Sequence, residues 1–141
     1  MNRKIYIASS WKNAERVRIL AEQLRNCGHE VYAFCEPGQD HFVFDAREHG
    51  IDQLTAKEAV SDPMFIRAYE ADKAGLDWAD TCVILLPAGK STHLEGGYTV
   101  GCGKDLFILG DPFPGDFDAM YGFAVAVCES FVELKDAMEM V

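Results

Sequence analysis

Glu95 is the residue of this chain whose surroundings most strongly suggest chemistry. It lies in the segment GKSTHLEGGY, residues 89–98, which follows the apolar run at 82–86 and opens a predicted helix that ends near Gly103. A carboxylate in the first turn of a helix, just past the carboxyl end of a buried strand, lies where open α/β sheets bind ligands. Glu95 is therefore a candidate nucleophile.

A purely structural role explains the same spacing. Thr92 and Glu95 have the separation of a capping box, in which the glutamate bonds back to the start of its helix and complements the helix dipole. Gly96 and Gly97 favour a functional role for this segment, because each lowers helix stability by about 1 kcal/mol relative to alanine. Glycines at these positions suit a close approach of backbone or ligand beside the carboxylate. Both interpretations stay open at this point.

A second candidate segment follows the first predicted strand. Ser9, Ser10, Trp11 and Lys12 offer hydroxyls, an aromatic face and a cation next to helix N-terminal amides, a set that can hold a phosphate or a sugar. The segment lacks the glycines of a P-loop or of the G-x-G-x-x-G motif. The alternative is that one of the serines is an ordinary helix cap.

The remaining polar candidates carry weaker signals. His93 is a candidate substrate-binding residue, although a capping or hydrogen-bonding histidine is the more common interpretation, and Asp72 is by its sequence context a solvent-exposed charge. The acidic and histidine residues His41, Asp45, Glu48 and His49 have partial i, i+4 spacing but match no known metal-binding pattern. Neither a metal nor a cofactor is predicted.

Strands and helices are predicted to alternate along the chain. The predicted strands are 5–8, 30–34, 81–86, 106–109 and 123–127. The predicted helices begin at a cap by Ser9 or Ser10, at Asp62 with Pro63 in the first turn, after Ser91, and at Ser130; residues 35–60 show only a weak helical period.

This alternation predicts an α/β fold with a parallel sheet covered by helices on both faces. Right-handed crossovers most simply give five strands the order 2-1-3-4-5, with a topological switch point between strands one and three. The loops after those two strands then bring Ser9, Ser91 and Glu95 to one crevice.

Composition limits the class of partner. The 141 residues fit one domain, 1–141, and the net charge of -10 argues against nucleic-acid polymers, whose binding needs Lys and Arg. No apolar run approaches the ~20 residues that span a bilayer, and no signal peptide is recognisable, so no membrane partner is expected. Five cysteines without a C-x-x-C pair indicate reduced thiols and a cytoplasmic protein.

Several segments together resemble the nucleoside 2-deoxyribosyltransferase-like family. The residues that carry this resemblance, spread over nearly the whole chain, are IYIASSW at 5–11, ADKAGL at 71–76 ahead of Ala79-Asp80, HLEGGY at 93–98, GCGK at 101–104 and DAMY at 118–121.

The resemblance implies a three-layer flavodoxin-like fold and cleavage or transfer at the N-glycosidic bond of a nucleoside or nucleotide. Glu95 matches the family's nucleophile, Tyr6 a tyrosine that orients it, and Asp72 an aspartate that contacts the nucleobase and helps to protonate it. Met120 lies in the segment that reaches a neighbouring subunit's site in this family, which implies a homodimer or a larger homo-oligomer. The apolar residues Phe113, Phe117, Met120, Tyr121 and Phe123 either form such an interface or cover the edge of the sheet.

The chain departs from both described chemistries of the family. Gly89 stands where transferases have an aspartate, and the loop 9–13 lacks the arginines and glycines of the 5′-monophosphate hydrolases, although Lys90 and Ser91 remain available to a phosphate. Two other classes stay open: a nucleoside- or nucleotide-binding module without turnover, and a flavoprotein on the same topology.

Overall fold

Strands and helices alternate in the computed structural model, which describes residues 2–37, 50–110 and 114–141. The strands in these residues are β1 (Lys4–Ala8), β2 (Glu30–Ala33), β3 (Thr81–Leu85), β4 (Asp105–Leu109) and β5 (Ala126–Cys128). The α-helices are α1 (Ala14–Asn26), α2 (Ala56–Ala59), α3 (Pro63–Trp78), α4 (Lys90–Gly101) and α5 (Phe131–Glu139). Short 3-10 helices lie at Trp11–Asn13, Ile51–Gln53 and Ala119–Phe123.

The five strands form one parallel sheet in the order β2-β1-β3-β4-β5, which confirms the predicted fold class and strand order. The order reverses between β1 and β3, because β2 lies on one side of β1 and the later strands lie on the other. Loops leaving the carboxyl ends of these two strands diverge and leave a crevice there.

The alternation of side chains along the strands builds a core on each face of the sheet. Ile5, Ile7 and Val83 belong to the cluster that also contains residues of α1 and α5. Tyr6, Cys82 and Ile84 belong to the opposite cluster, which contains Leu76 of α3. The three layers are therefore α1 and α5, the sheet, and α3 with α4.

Helix α3 begins as the sequence predicts. The Asp62 carboxylate accepts hydrogen bonds from the backbone amides of Met64 and Phe65, and Pro63 occupies the first helical position. These two signals fix the register of α3 and hence the direction in which Asp72 points.

The predicted capping roles at two other helices are wrong. Helix α4 begins at Lys90 with Gly89 as its N-cap, so Thr92 lies inside the helix, fully buried, and Glu95 is in the second turn. Neither serine caps α1 through its side chain, because a 3-10 turn at 11–13 intervenes and the Ser9 hydroxyl donates to the Leu85 carbonyl at 2.8 Å.

The last strand differs from the prediction of 123–127. The Asp118 carboxylate accepts from the Met120 amide and starts a 3-10 helix at 119–123, so that β5 begins only at Ala126. Within 35–60, the described part holds the 3-10 helix at 51–53 and α2, which is capped by a reciprocal Thr55–Glu58 box. The weak metal pattern at 41–49 lies outside the described residues.

In the described part of the chain, every helix is too short or too polar to cross a bilayer. The same residues contain no group of three His, Cys, Asp or Glu side chains arranged to hold a metal ion.

Gly96 allows α4 to lie close to the sheet. An ideal Cβ at Gly96 would lie 2.7 Å from Ile84 Cδ1 and 3.4 Å from Leu106 Cδ1, whereas one at Gly97 would meet nothing within 4 Å. The glycine at 96 is therefore explained by packing of α4 against core side chains of the sheet, and the approach of a ligand to this pair stays a prediction.

We expect opposite effects from alanine at these two positions. Gly97→Ala should raise the free energy of unfolding by up to about 1 kcal/mol, since it gains helix propensity in open space. Gly96→Ala should lower it by up to about 2 kcal/mol, because overpacking of the buried Ile84, about 1–3 kcal/mol, outweighs the same gain in helix propensity. Urea unfolding of both variants measures the difference, and equal stabilisation by both would contradict the packing argument.

Candidate active site

Glu95 of α4 and Tyr6 of β1 form the centre of the candidate site. Tyr6 projects from the face of the sheet that α3 and α4 cover, and its ring is 1% exposed. Its hydroxyl donates a hydrogen bond to Glu95 Oε2. The carboxylate is therefore held by a side chain from the sheet beneath α4, and the position of that side chain is fixed by the interior strand β1.

Asp72 of α3 is held in a parallel arrangement. The Tyr32 hydroxyl donates to Asp72 Oδ1 at 3.1 Å, and the Tyr32 ring stacks on that of Tyr6 with centroids 5.0 Å apart and planes 11° apart. Two acids from two helices thus meet two stacked tyrosines from neighbouring strands.

Burial changes the protonation of both acids. The pKa of Glu95 is raised to about 7, chiefly by desolvation; the hydrogen bond from Tyr6 lowers it and the charge of Asp72 raises it. Desolvation also raises the pKa of Asp72 to about 6, against the lowering effect of the bond from Tyr32. Burial and the two acids raise the pKa of Tyr6 far above its ordinary value, so Tyr6 keeps its proton.

Two acids titrating near neutrality give the site a specific capability. At physiological pH the pair can hold one proton between its two carboxyl groups, so that one acid is ionised while the other can donate. Such a pair can supply a nucleophile and a general acid within one site.

Two cavities meet at these acids. A cavity of ≈ 300 Å³ lies at the carboxyl ends of β1 and β2, and one of ≈ 550 Å³ lies between α3 and α4. Both are lined by Asp72, Ser91 and Glu95. The smaller cavity is otherwise lined by Tyr6, Ser9, Ser10, Trp11 and Phe34, and the larger by Phe65, Ala68, Tyr69, Lys73, Leu76, Leu94 and Tyr98.

Most of the residues predicted for the site are thus brought together. Tyr6, Asp72 and Glu95 are in contact or share a cavity, and Ser9, Ser10, Trp11 and Ser91 surround them. Ser9 is committed to the fold, because its hydroxyl also accepts a bond from Asn13 Nδ2 at 3.0 Å in addition to donating to Leu85. Trp11 packs edge-on against Phe34 with ring centroids 5.2 Å apart.

Three predicted residues lie elsewhere in the single chain. Lys12 is exposed and lines neither of these cavities. His93 and Met120 line a separate cavity of ≈ 440 Å³ on the other side of α4. There the His93 ring bonds to the Gly89 carbonyl at 2.7 Å and to the Tyr121 hydroxyl at 3.0 Å, so the expectation of a hydrogen-bonding histidine is confirmed.

Sequence reasoning missed Tyr32 and Phe34. Both belong to the second predicted strand, but β2 ends at Ala33. Tyr32 packs with the cluster of Tyr6, whereas Phe34 follows the strand and packs against the opposite cluster. The approach of Tyr32 to the site depends on how β2 aligns with β1, which pairs Tyr32 with Tyr6. This register depends on both strands and cannot be predicted from the sequence of either one alone.

Comparison with known proteins finds similarity at the level of structure. No protein-family model matches the chain, and no curated protein matches it in sequence. The 2-deoxyribosyltransferase from Bacillus psychrosaccharolyticus has a TM-score of 0.67 at 17% identity over 96% of this chain and 91% of its own. A conserved protein from Enterococcus faecalis V583 gives 0.67 at 17% over the whole of both chains.

A third solved structure, the CMP N-glycosidase BcmB of Clostridium botulinum, gives a TM-score of 0.54 at 14% identity over 99% of this chain and 98% of its own. At these identities the similarity is one of fold. The resemblance drawn from the sequence is confirmed at that level, since two of these proteins are nucleoside- or nucleotide-processing enzymes by name.

The raised pKa of Glu95 makes stability depend on pH in a defined direction. The carboxyl titrates at about 4.5 in the unfolded chain and at about 7 in the folded protein. The stability that its neutral form provides is therefore fully present below about pH 4.5 and is lost as the pH rises to about 7.

Glu95→Gln should remove this dependence. We expect the variant to unfold with a free energy about 2 kcal/mol higher than the wild type at about pH 8, a figure reduced for partial exposure, and equal to it near pH 4. Urea unfolding across this range measures the gap. A wild type that equals the variant at about pH 8 would mean that the carboxylate is not desolvated.

Proposed function

We propose that the chain is a member of the nucleoside 2-deoxyribosyltransferase-like family and cleaves the N-glycosidic bond of a (deoxy)nucleoside or its 5′-monophosphate through Glu95. One observation carries the proposal: the Glu95 carboxylate, held by Tyr6, lies beside a second acid, Asp72, where two cavities meet. The base and the sugar of a nucleoside then lie on opposite sides of the acid pair.

The proposed first step forms a sugar ester. Ionised Glu95 attacks C1′, a C1′–O bond forms, the C1′–N bond breaks, and its electron pair stays on the nucleobase nitrogen. Asp72 gives its proton to the departing base. The transition state resembles an oxocarbenium ion, so a carboxylate beside C1′ stabilises it before the covalent bond is complete.

The proposed second step releases the sugar. Water or a second nucleobase attacks C1′, the ester bond breaks, and Glu95 leaves as a carboxylate. The proton lost by the attacking water or base returns to Asp72, which restores the starting state. Exclusion of water from the ester decides between hydrolysis and transfer.

The acidities of the two groups set the fraction of protein ready to react. Burial raises the pKa of both Glu95 and Asp72 towards neutrality, so the two carboxyl groups can share one proton. The reactive state is the one in which this proton lies on Asp72 and Glu95 is ionised. A substrate that favours negative charge at Glu95 by placing C1′ near it increases this fraction.

The alternative of a binding module without turnover depends on Glu95 serving as a helix cap. Glu95 lies in the second turn of α4, whose N-cap is Gly89, so that structural reason for a glutamate is removed. The enzyme proposal uses the same carboxylate, its tyrosine and its neighbouring acid, and is therefore preferred.

We further propose a homo-oligomer formed through the apolar surface around residues 117–123. Phe117, Met120 and Phe123 are 72%, 61% and 58% exposed, and Leu94 of α4 nearby is 75% exposed. Tyr121 packs against the core cluster under α3 and α4 and covers the sheet instead. Phe113 lies outside the described residues.

Light scattering should give a mass at least twice the 15.7 kDa of one chain. Met120→Glu is expected to reduce it, because a charge replaces an exposed apolar side chain at the centre of this surface. Val132→Glu is the matched control, since Val132 is 66% exposed on α5 in the opposite layer. A wild type that stays monomeric at working concentration would refute the proposal.

Substitution of the two acids tests the catalytic assignment. Glu95→Gln should lower kcat/KM at least about 10³-fold through loss of the nucleophile, and Asp72→Asn about 10²–10⁴-fold through loss of the general acid. Glu70→Gln is the matched control on α3, because Glu70 is exposed and lines neither cavity. It should stay within about twofold of the wild type.

Chromatography measures the release of nucleobase from deoxyribo- and ribonucleosides and their 5′-monophosphates. Each substrate is tested with and without a second free base. Release without the second base means hydrolysis, and a new nucleoside that forms only with it means transfer. Measurable binding with no release from any substrate would replace the enzyme by the binding module.

A 2-fluoro-arabino substrate should trap the ester on Glu95, visible by mass spectrometry of the peptide. With a leaving group that needs no proton, the trapping rate should rise with pH and reach half its limit near pH 7, where Glu95 ionises. Labelling at another residue, or none in a protein that turns over normal substrate, would exclude this nucleophile.

A further inference from the structure

Tyr32 stands in the same relation to Asp72 as Tyr6 does to Glu95. The two tyrosines are cross-strand partners in the parallel pairing of β1 with β2, and their rings are stacked. The Tyr32 hydroxyl is 3.1 Å from Asp72 Oδ1 and 3.4 Å from the Ala71 carbonyl, so the shorter bond is to the carboxylate. Each acid therefore has its own tyrosine.

Gly75 provides the room for this ring. An ideal Cβ at Gly75 would lie 3.0 Å from three atoms of the Tyr32 ring, Cδ2, Cε2 and Cζ. Gly75 is buried within α3, one turn after Asp72, and its backbone is not in the left-handed region, so its conformation does not require glycine. Alanine would stabilise the helix, but the ring of Tyr32 leaves too little space for its methyl group.

We propose that Tyr32 is a positioning residue that acts through Asp72, and that Gly75 lets α3 approach the Tyr32 ring closely enough for the bond to form. This proposal deepens the proposed function and rests on it, since Asp72 is there the proton donor to the leaving base. Tyr32 itself touches no reacting atom in this assignment.

The stacked rings couple the positions of the two acids. Tyr6 and Tyr32 are fixed side by side by the hydrogen-bonded strands that carry them, so their hydroxyls are held at a set separation. Through the two hydrogen bonds this separation passes to Glu95 and Asp72, which belong to different helices. A proton donor and a nucleophile must be placed together to act on one bond.

The same bond affects the acidity of Asp72. A hydroxyl that donates to a carboxylate stabilises the ionised form, and the bond from Tyr32 lowers the pKa of Asp72 against the effect of burial. Among the described residues, the titratable or charged groups that face Asp72 or share its cavities are Glu95 of α4, Tyr6 of β1, Tyr32 of β2, and Tyr69, Lys73 and Tyr98. Lys73 is paired with Asp77 at 2.7 Å.

Tyr32→Phe tests the role in turnover because it keeps the ring and removes only the hydroxyl. We expect kcat to fall about 10–100-fold while KM changes less than about threefold. The pH of greatest kcat/KM lies midway between the two apparent pKa values of the acid pair, so loss of a bond that lowers one of them should move this optimum upward by about half a pH unit. An unchanged optimum would overturn the proposal.

Thr81→Val is the control for loss of a buried, hydrogen-bonded hydroxyl. Thr81 is fully buried at the opposite, amino-terminal edge of the sheet, where its hydroxyl contacts Arg3 and Asp80. This variant should lose stability but keep the pH optimum of the wild type. A shift of the optimum in both variants would indicate a general effect of destabilisation, and the positioning role would be rejected.

Carbon-13 NMR of labelled aspartate carboxyls tests the contact without activity. The Asp72 signal is the one missing in Asp72→Asn, and its titration midpoint should rise by about one pH unit in Tyr32→Phe. Gly75→Ala should raise it in the same direction but by less, since the methyl group pushes the ring away by a few tenths of an ångström and lengthens the bond. If the wild type cleaves no glycosidic bond, the proposed function fails while these midpoints still decide whether Tyr32 holds Asp72; unchanged midpoints in both variants would show that it does not.

Discussion

The partial burial of two carboxyl groups at one place is the constraint that the rest of the site depends on. Glu95 and Asp72 are both half-buried, and each keeps its proton to a pH well above that of a free acid. A buried acid without a hydrogen bond costs free energy in either protonation state. Each therefore requires a donor, and the donor must itself be rigid. The tyrosines of β1 and β2 meet this requirement, because their strands are paired in the sheet and their rings are stacked.

The parallel sheet determines which side chains can form this arrangement. Residues at one level of neighbouring strands point to the same face, so Tyr32, Tyr6 and Cys82 form a row beneath α3 and α4. The chain order reverses at β1, so the carboxyl ends of β1 and β3 lie beside each other. The loops that follow these two strands line the smaller cavity. The helices bring the acids to the row, and glycine permits each helix to lie close: Gly96 next to Glu95, and Gly75 one turn from Asp72.

The sequence was sufficient for those features that depend on local signals or on general topology. Strand order followed from alternation of elements, and the start of α3 followed from Asp62 and Pro63. Convergence of Ser9, Ser91 and Glu95 followed from the order of the strands. Local signals misled at α4, where Thr92 has the spacing of a cap but is buried inside the helix, and at β5, where Asp118 starts a 3-10 helix in an apolar stretch. Tyr32 was out of reach because its role depends on the register between two strands, which is a property of the pair.

The two packing glycines separate the placement of the acids from the shape of the cavities. Glu95 and Asp72 are positioned by contacts between helix backbone and sheet, whereas the cavity walls come from side chains such as Trp11, Phe34, Phe65 and Tyr69, which lie on other segments or on other turns. Substitution of a wall residue changes the space offered to a ligand without altering how either acid-bearing helix rests on the sheet. Descendants of such a chain can therefore exchange one ligand for another by altering the walls alone, while the acid pair is inherited unchanged.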